Sequence, residues 1–150
     1  YQMLKNANIT TEAEVRVFYS NIDWENLIEE SGEINNSINK IKELTKYFDI
    51  EILTHVNSEN EANVKRNYFK RMLPGINVIT VPKSIKKADF VNPFGCILVD
   101  DYSSNLAYWE EKGGIPVKFS DYEEKCPYRV ISDLLELIEI FVKNKIKVKE

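Results

Sequence analysis

Hydrophobic positions along the chain alternate between the spacing typical of strands and the spacing typical of helices. Short apolar or alternating runs, rich in β-branched and aromatic side chains, predict strands at residues 48–54, 77–81, 96–99 and 115–119. Apolar residues that recur every three or four positions predict helices at 35–46 and 130–143. An S-x-x-E capping box that begins at Ser58 predicts a helix at 58–73, and a serine cap before a Gly-Gly terminator predicts one at 103–112. Strands that alternate with helices form a parallel sheet covered by helices. We therefore expect an α/β, Rossmann-like fold.

The first 33 residues are predicted to be helical. Helical spacing runs from about Thr10 to Tyr19 and from about Asp23 to Glu30, and Gly32 is suited to end the second helix. No repeat or linker divides the chain. We expect a single domain over residues 1–150, with a small helical cap in about 1–33 and an α/β core in about 34–150.

Charge and composition limit the classes of partner. The chain has 20 basic and 24 acidic side chains, so its net charge is −4. It therefore lacks the excess of positive charge that attracts nucleic acid or an anionic membrane. No apolar run approaches the length of a membrane span, and no signal-peptide pattern is present. With only Cys96 and Cys126, a disulfide is not expected, so we predict a reduced, cytoplasmic protein. A small anionic ligand remains compatible with this charge.

Polar residues stand where the predicted strands end, which is where parallel sheets bind ligands. The adjacent carboxylates of Asp100 and Asp101 repel each other, so they favour a bound Mg²⁺; alternatively, Asp100 caps the following helix. On this basis Asp100→Asn is expected to cost little stability. The Thr54 hydroxyl and the amides after it can cradle a phosphate, or Thr54 can bond its own turn. We expect Thr54 and Asp100 to approach each other in space.

Other candidates surround these positions. Lys83, Lys86 and Lys87 form a cluster that is typical of a solvated face, although one of them can reach a phosphate as a point charge. The spacing does not choose among the three. His55 is the only histidine, and it suits contact with a ligand better than the role of a general base.

The run from Ile97 to Phe119, ILVDDYSSNLAYWEEKGGIPVKF, resembles the fourth-motif region of the haloacid dehalogenase superfamily of phosphohydrolases. It is most similar to the small bacterial and phage hydrolases grouped with 5'(3')-deoxyribonucleotidases. More weakly, IEILTHVNS resembles the second motif and KKADFV the third. The resemblance covers about Ile34 to Phe119.

The resemblance implies a Mg²⁺-dependent phosphomonoester hydrolase that acts through an aspartyl-phosphate on substrates of the nucleoside monophosphate class. It assigns Thr54, Lys87 and Asp101 to catalysis, and Asp100 and Asp101 to Mg²⁺ binding. Lys86 is the alternative to Lys87. The residues implied in phosphate or substrate binding are Thr54, His55, Val56, Lys87 and Asn105.

One family motif is missing from the sequence. The family's first motif is an apolar strand that ends in Asp-x-Asp, whose first Asp attacks phosphorus, and this strand lies centrally between those predicted at 48–54 and 96–99. We therefore expect the central strand and the nucleophile to lie upstream of Tyr1, and this chain alone to be inactive. Alternatively, another segment of the chain fills the central position. A second hypothesis is a non-catalytic binding or regulatory module that kept the scaffold and lost the nucleophile.

Overall fold

A computed structural model describes residues 15–20, 31–120 and 125–143 of the chain. The strands are β1 Arg16–Tyr19, β2 Asp49–Val56, β3 Asn77–Pro82, β4 Ile97–Asp100, β5 Ile115–Phe119 and β6 Arg129–Ile131. The helices are α1 Ser31–Leu44, α2 Glu59–Met72, α3 Lys87–Phe90, α4 Ser103–Glu111 and α5 Glu136–Ile138, which continues as a π-helical turn over Glu139–Lys143.

The six strands form one sheet in the order β3-β2-β1-β4-β5-β6, and all neighbouring pairs are parallel. The predicted strands correspond to β2, β3, β4 and β5, and the predicted α/β, Rossmann-like fold is confirmed. The predicted S-x-x-E cap of α2 also forms, because the Ser58 side chain accepts a hydrogen bond from the Glu61 amide at 3.1 Å. Within the described residues, no helix is long and apolar enough to cross a membrane.

The expectation that the central strand is absent from the chain was wrong. Residues 16–19, predicted to be helical, form β1, which lies between β2 and β4. Val17 is in register with Ile50 on one side and with Ile97 on the other. The run VRVFY is β-branched and aromatic, and pairing on both sides satisfies its buried backbone groups, so tertiary context overrides the local helical pattern. The helix predicted from about Asp23 to Glu30, and most of the predicted cap, lie outside the described residues.

The predicted closing helix also begins later than expected. Residues 129–131 form β6 at the edge of the sheet, paired with β5, and α5 begins at Glu136. The carboxylate of Glu136 accepts hydrogen bonds from the amides of Ser132 and Asp133, at 2.9 and 3.0 Å. These contacts stabilise the turn between the strand and the helix, so the apolar spacing from Val130 onward reflects two elements rather than one.

Hydrophobic layers cover both faces of the sheet. Side chains alternate between the faces along each strand, so Tyr19 and Ile52 point to one face and Phe18 and Leu53 to the other. The first face packs against α1, α2 and α5, and the second against α3 and α4. The largest buried side chain of the second layer is Trp109, whose ring meets Phe18 edge-on at 5.4 Å between centroids.

The order of the strands reverses at the centre of the sheet. The chain progresses outward from β1 through β2 to β3, and it then returns to β4 on the other side of β1. In open α/β sheets, such a switch point opens a crevice beyond the carboxyl ends of the strands, where ligands bind. Ser20, whose amide donates to the Val99 carbonyl at 2.8 Å, and Asp100 line this position.

Candidate anion-binding site at the switch point

A buried ion pair joins the carboxyl ends of β1 and β4. The Lys87 ammonium, at the start of α3, donates to Asp100 Oδ2 at 3.0 Å and to the Ser20 hydroxyl oxygen. Asp100, Lys87 and Ser20 are 1%, 6% and 8% exposed. Charges at this depth are tolerated only when they are paired and hydrogen-bonded. Ser20 could not be predicted from the sequence, because the strand that it follows has only four residues.

Asp100 has further hydrogen-bond donors on both oxygens. Asn105 Nδ2 of α4 donates to Oδ2, and the Tyr102 amide donates to Oδ1, each at 3.0 Å. Asp100 therefore stabilises the turn before α4 and pairs with Lys87, but it is not the N-cap of α4, a position that Tyr102 occupies. Asn105, which the resemblance placed near the substrate, contacts the site through this carboxylate.

Of the three candidate lysines, Lys87 is the one that reaches the strand ends. Lys83 and Lys86 are exposed, and the Lys86 ammonium lies 4.7 Å from the centre of the Tyr108 ring. Position 87 faces the sheet because the short helix α3 buries Lys87 and Ala88 together.

Thr54 lies at the same end of the sheet as Asp100 but contacts different groups. Its side chain points to the face covered by α2, and its hydroxyl oxygen accepts from Lys65 Nζ at 3.0 Å. β1 separates Thr54 from Asp100. The structure therefore brings the two residues to the same edge, without a contact between them. Val56, the other predicted phosphate contact on β2, is buried, and its carbonyl accepts from the Lys83 amide at 3.1 Å.

Lys65 is a buried cation that the sequence analysis missed. It lies on the inner stripe of α2 with Ala62 and Phe69, and it is 4% exposed. Its ammonium donates to the His55 carbonyl at 3.0 Å and pairs with Glu61 at 3.2 Å, in addition to Thr54. These acceptors compensate the loss of hydration and fix the backbone at the end of β2.

His55 extends to the same face as Asp100. Its Nε2 atom lies 2.9 Å from the Ile85 carbonyl oxygen, and because a carbonyl only accepts, Nε2 carries the proton. Burial lowers the pKa of His55 below its usual value, and the charges of Lys87 and Lys83 lower it further, against the opposing effect of the Ile85 hydrogen bond. The imidazole is therefore neutral near pH 7, with Nδ1 as an acceptor.

Asp101 has a different environment from Asp100. The residue is exposed, but partial loss of hydration at its carboxyl, followed by the negative charge of Asp100, raises its pKa above the usual range. Burial likewise raises the pKa of Tyr19, with smaller contributions from Asp101 and Asp100. Asp101 is therefore the carboxyl group of the pair that takes up a proton more readily than an ordinary aspartate.

The residues at the switch point do not fit a resident Mg²⁺. Asp100 already accepts three hydrogen bonds, and the Lys87 ammonium supplies the positive charge that a metal ion would supply. Mg²⁺ needs a near-octahedral oxygen shell, and a cation 3.0 Å from the carboxylate opposes it. Within ranges 15–20, 31–120 and 125–143, no three His, Cys, Asp or Glu side chains cluster as potential metal ligands.

A third buried lysine flanks the site on β5. Lys118 is in register with Asp100, is 8% exposed and donates to the Ser103 hydroxyl at 2.8 Å. The ammonium groups of Lys87 and Lys118 thus lie on either side of Asp100 along the sheet. Two ammonium groups held at the carboxyl ends of the strands are groups with which an anion can interact.

Ser20 directly follows the central strand, at the position where the resemblance implies the nucleophilic aspartate. The expectation that this position is supplied from upstream of Tyr1 is therefore wrong for the folded domain, since β1 already occupies it. What the geometry offers is a buried ammonium, a serine hydroxyl and a neutral histidine at the carboxyl ends of the central strands. Comparison of the chain with family models, curated proteins and solved structures gave no match.

Proposed function

We propose that this domain binds a phosphomonoester at the switch point between β1 and β4 and does not hydrolyse it. The observation that carries the proposal is the Lys87 ammonium, which is buried and held between Ser20 and Asp100. A lysine fixed at this position presents a positive charge to the crevice in which α/β sheets bind their ligands.

Hydrogen-bond capacity supports an anionic ligand. An ammonium group has three donors, and within the described ranges two of those of Lys87 have acceptors. The Ser20 oxygen accepts from Lys87, so its own hydrogen is available to donate. Both donors are held in a buried setting, where charge-assisted hydrogen bonds are stronger than in water.

Among the described residues, the hydrogen bonds around Ser20 and Asp100 support binding over hydrolysis. While Lys87 donates to Ser20 and Asp100, it cannot also accept the Ser20 proton, so the serine is not activated by a base. Asp100 is occupied by its own donors and by the turn before α4. This arrangement agrees with the hypothesis of a binding or regulatory module that lost its nucleophile.

The nucleoside monophosphate class is the ligand that the resemblance implies. Tyr102 follows Asp100 and Asp101 directly and is 64% exposed, so its ring offers a surface on which a base can stack. Inorganic phosphate tests the anion site alone, and a nucleoside 5'-monophosphate tests the ring as well.

Calorimetric titration of the full chain with inorganic phosphate and with a nucleoside 5'-monophosphate tests the proposal. We expect saturable binding by the wild-type chain and by Lys86→Met, a matched change at the neighbouring exposed lysine. The double variant Lys87→Met/Asp100→Asn removes both charges of the pair and should not bind. Equal binding by this folded double variant would contradict the proposed site.

Hydrolysis by a Mg²⁺-dependent phosphomonoesterase, as the resemblance implies, is the second candidate. The raised pKa of Asp101 favours it, because a carboxyl that retains a proton near the crevice can serve as a general acid. A colorimetric phosphate-release assay with Mg²⁺ separates the two candidates. The binding proposal predicts no release above the double variant, whereas release that depends on Asp101 would favour the hydrolase.

A further inference from the structure

We infer that Lys87 takes the place of a metal ion, so that the site binds its phosphate without a divalent cation. The inference rests on the proposed function, because it specifies how the same site compensates the charge of its ligand. The ammonium group of Lys87 contacts Asp100 directly, in the place that a metal ion bound to this carboxylate would occupy.

The hydrogen bonds of Asp100 occupy the positions at which a metal ion would bind this carboxylate. Oδ2 accepts from both Lys87 and Asn105, and Oδ1 accepts from the Tyr102 amide. The carboxylate is 1% exposed and is enclosed by these donors. A metal ion that bound Asp100 in place of Lys87 would have to displace that ammonium into a setting where it has lost its counter-ion.

The end of the neighbouring strand β1 presents a hydroxyl and not a carboxylate. Mg²⁺ in phosphate sites is held by one or two carboxylates together with the phosphate and water. Beside Asp100, β1 presents the neutral hydroxyl of Ser20, which is already bound to Lys87. Asp101, the adjacent carboxylate, is exposed, follows the end of β4 and interacts with Asp100. On the other side of Asp100, however, Lys87 and the Ser20 hydroxyl occupy the position where a metal ion would need a further charged ligand.

Lysine side chains at this end of the sheet can compensate the negative charge of a bound phosphate. A phosphate monoester dianion needs positive charge nearby, and Lys87 provides it in the crevice with Lys118 in the adjacent position on β5. An ammonium group that is part of the fold cannot be removed by a chelator. The affinity for phosphate should therefore be insensitive to EDTA and to added Mg²⁺.

Two measurements on the full chain test this inference. Thermal melts with MgCl₂ alone, against EDTA, report whether the wild-type chain binds the metal. Titrations with inorganic phosphate in EDTA and in MgCl₂ report whether the metal assists the anion. Ser20→Asp adds a carboxylate beside Asp100 on the β1 side and should gain a Mg²⁺-dependent melting shift, while Ser20→Asn, whose side chain is similar in size to that of aspartate but neutral, should not.

We expect no Mg²⁺-dependent shift for the wild-type chain, and phosphate dissociation constants that agree within about two-fold in the two conditions. A Mg²⁺-dependent shift of the wild-type chain overturns the inference whether or not phosphate binds, and it does not depend on the folding of either variant. Phosphate binding that requires Mg²⁺ overturns the inference but leaves the proposed function standing. No phosphate binding in either condition overturns the proposed function and the inference with it.

Discussion

Replacing Lys87 with methionine removes the buried cation at the switch point while keeping a side chain of similar length. The Asp100 carboxylate would then remain 1% exposed without a counter-ion, although its bonds from Asn105 and the Tyr102 amide persist. Breaking a buried ion pair by removing one partner costs about 3–5 kcal/mol, because it leaves an uncompensated charge in the interior.

We expect a loss near the middle of that range. Methionine fills much of the space of the lysine stem, so a cavity adds little, and the two remaining donors stabilise Asp100 in part. A loss of about 4 kcal/mol corresponds to a fall in melting temperature of roughly 10 °C for a chain of this size. The double variant Lys87→Met/Asp100→Asn should recover most of the lost stability, because it also removes the uncompensated charge of the Asp100 carboxylate.

Urea denaturation of the single and double variants, with Lys86→Met as the surface control, measures these differences in the free energy of unfolding. From the sequence alone, Asp100→Asn was expected to cost little stability, since two adjacent carboxylates repel. The ion pair with Lys87 predicts a loss instead, because the mutation leaves a buried ammonium without its partner. Additive losses in the double variant, or a Lys87→Met variant as stable as Lys86→Met, would refute this reasoning.

Three further predictions follow from other parts of the structure. Because burial and nearby lysine charges lower its pKa, His55 should titrate below 6.5 in NMR spectra, and a titration at or above 6.5 would contradict this. The contribution of the neutral His55 side chain to the free energy of unfolding should be complete above pH 6.5 and should fall as the pH drops through the pKa of the folded state. Lys65→Met should cost about 2 kcal/mol in urea denaturation, against less than about 0.5 kcal/mol for the exposed Lys70→Met, and equal losses would show that the Lys65 hydrogen bonds add nothing. Gly114→Ala should cost about 2–3 kcal/mol, since a Cβ there would collide with the Trp109 indole, and an unchanged melting temperature would count against that packing.

The sequence predicted those parts of the fold whose hydrophobic pattern is long or bounded by clear turn signals. The strands β2 to β5 and the helices α1, α2 and α4 belong to this group. β1 and β6 have four and three residues, which is too short for a period to distinguish a strand from the end of a helix. Their conformation is decided by the neighbours with which they pair, and a single sequence does not show those neighbours.

Part of the candidate site could also be predicted. Asp100 was identified because a charged residue that ends a buried strand points to the ligand-binding edge, whereas only the resemblance singled out Lys87 among the three lysines. Ser20 was missed along with its strand. Lys65 and Lys118 were missed because a lysine on an apolar stripe is equally compatible with an exposed side chain, and only the folded chain shows which acceptors surround it.

An NMR titration with inorganic phosphate, in EDTA, tests the central claim most directly, because His55 is the only histidine and its ring is sensitive to the charge of Lys87. In the wild-type chain, we predict that the His55 ring signal shifts saturably as phosphate is added at constant pH. In the folded Lys87→Met/Asp100→Asn variant, we predict no such shift. A wild-type His55 signal that does not move, or the same saturable shift in both proteins, would contradict the account of Lys87 as the cation that binds the phosphate.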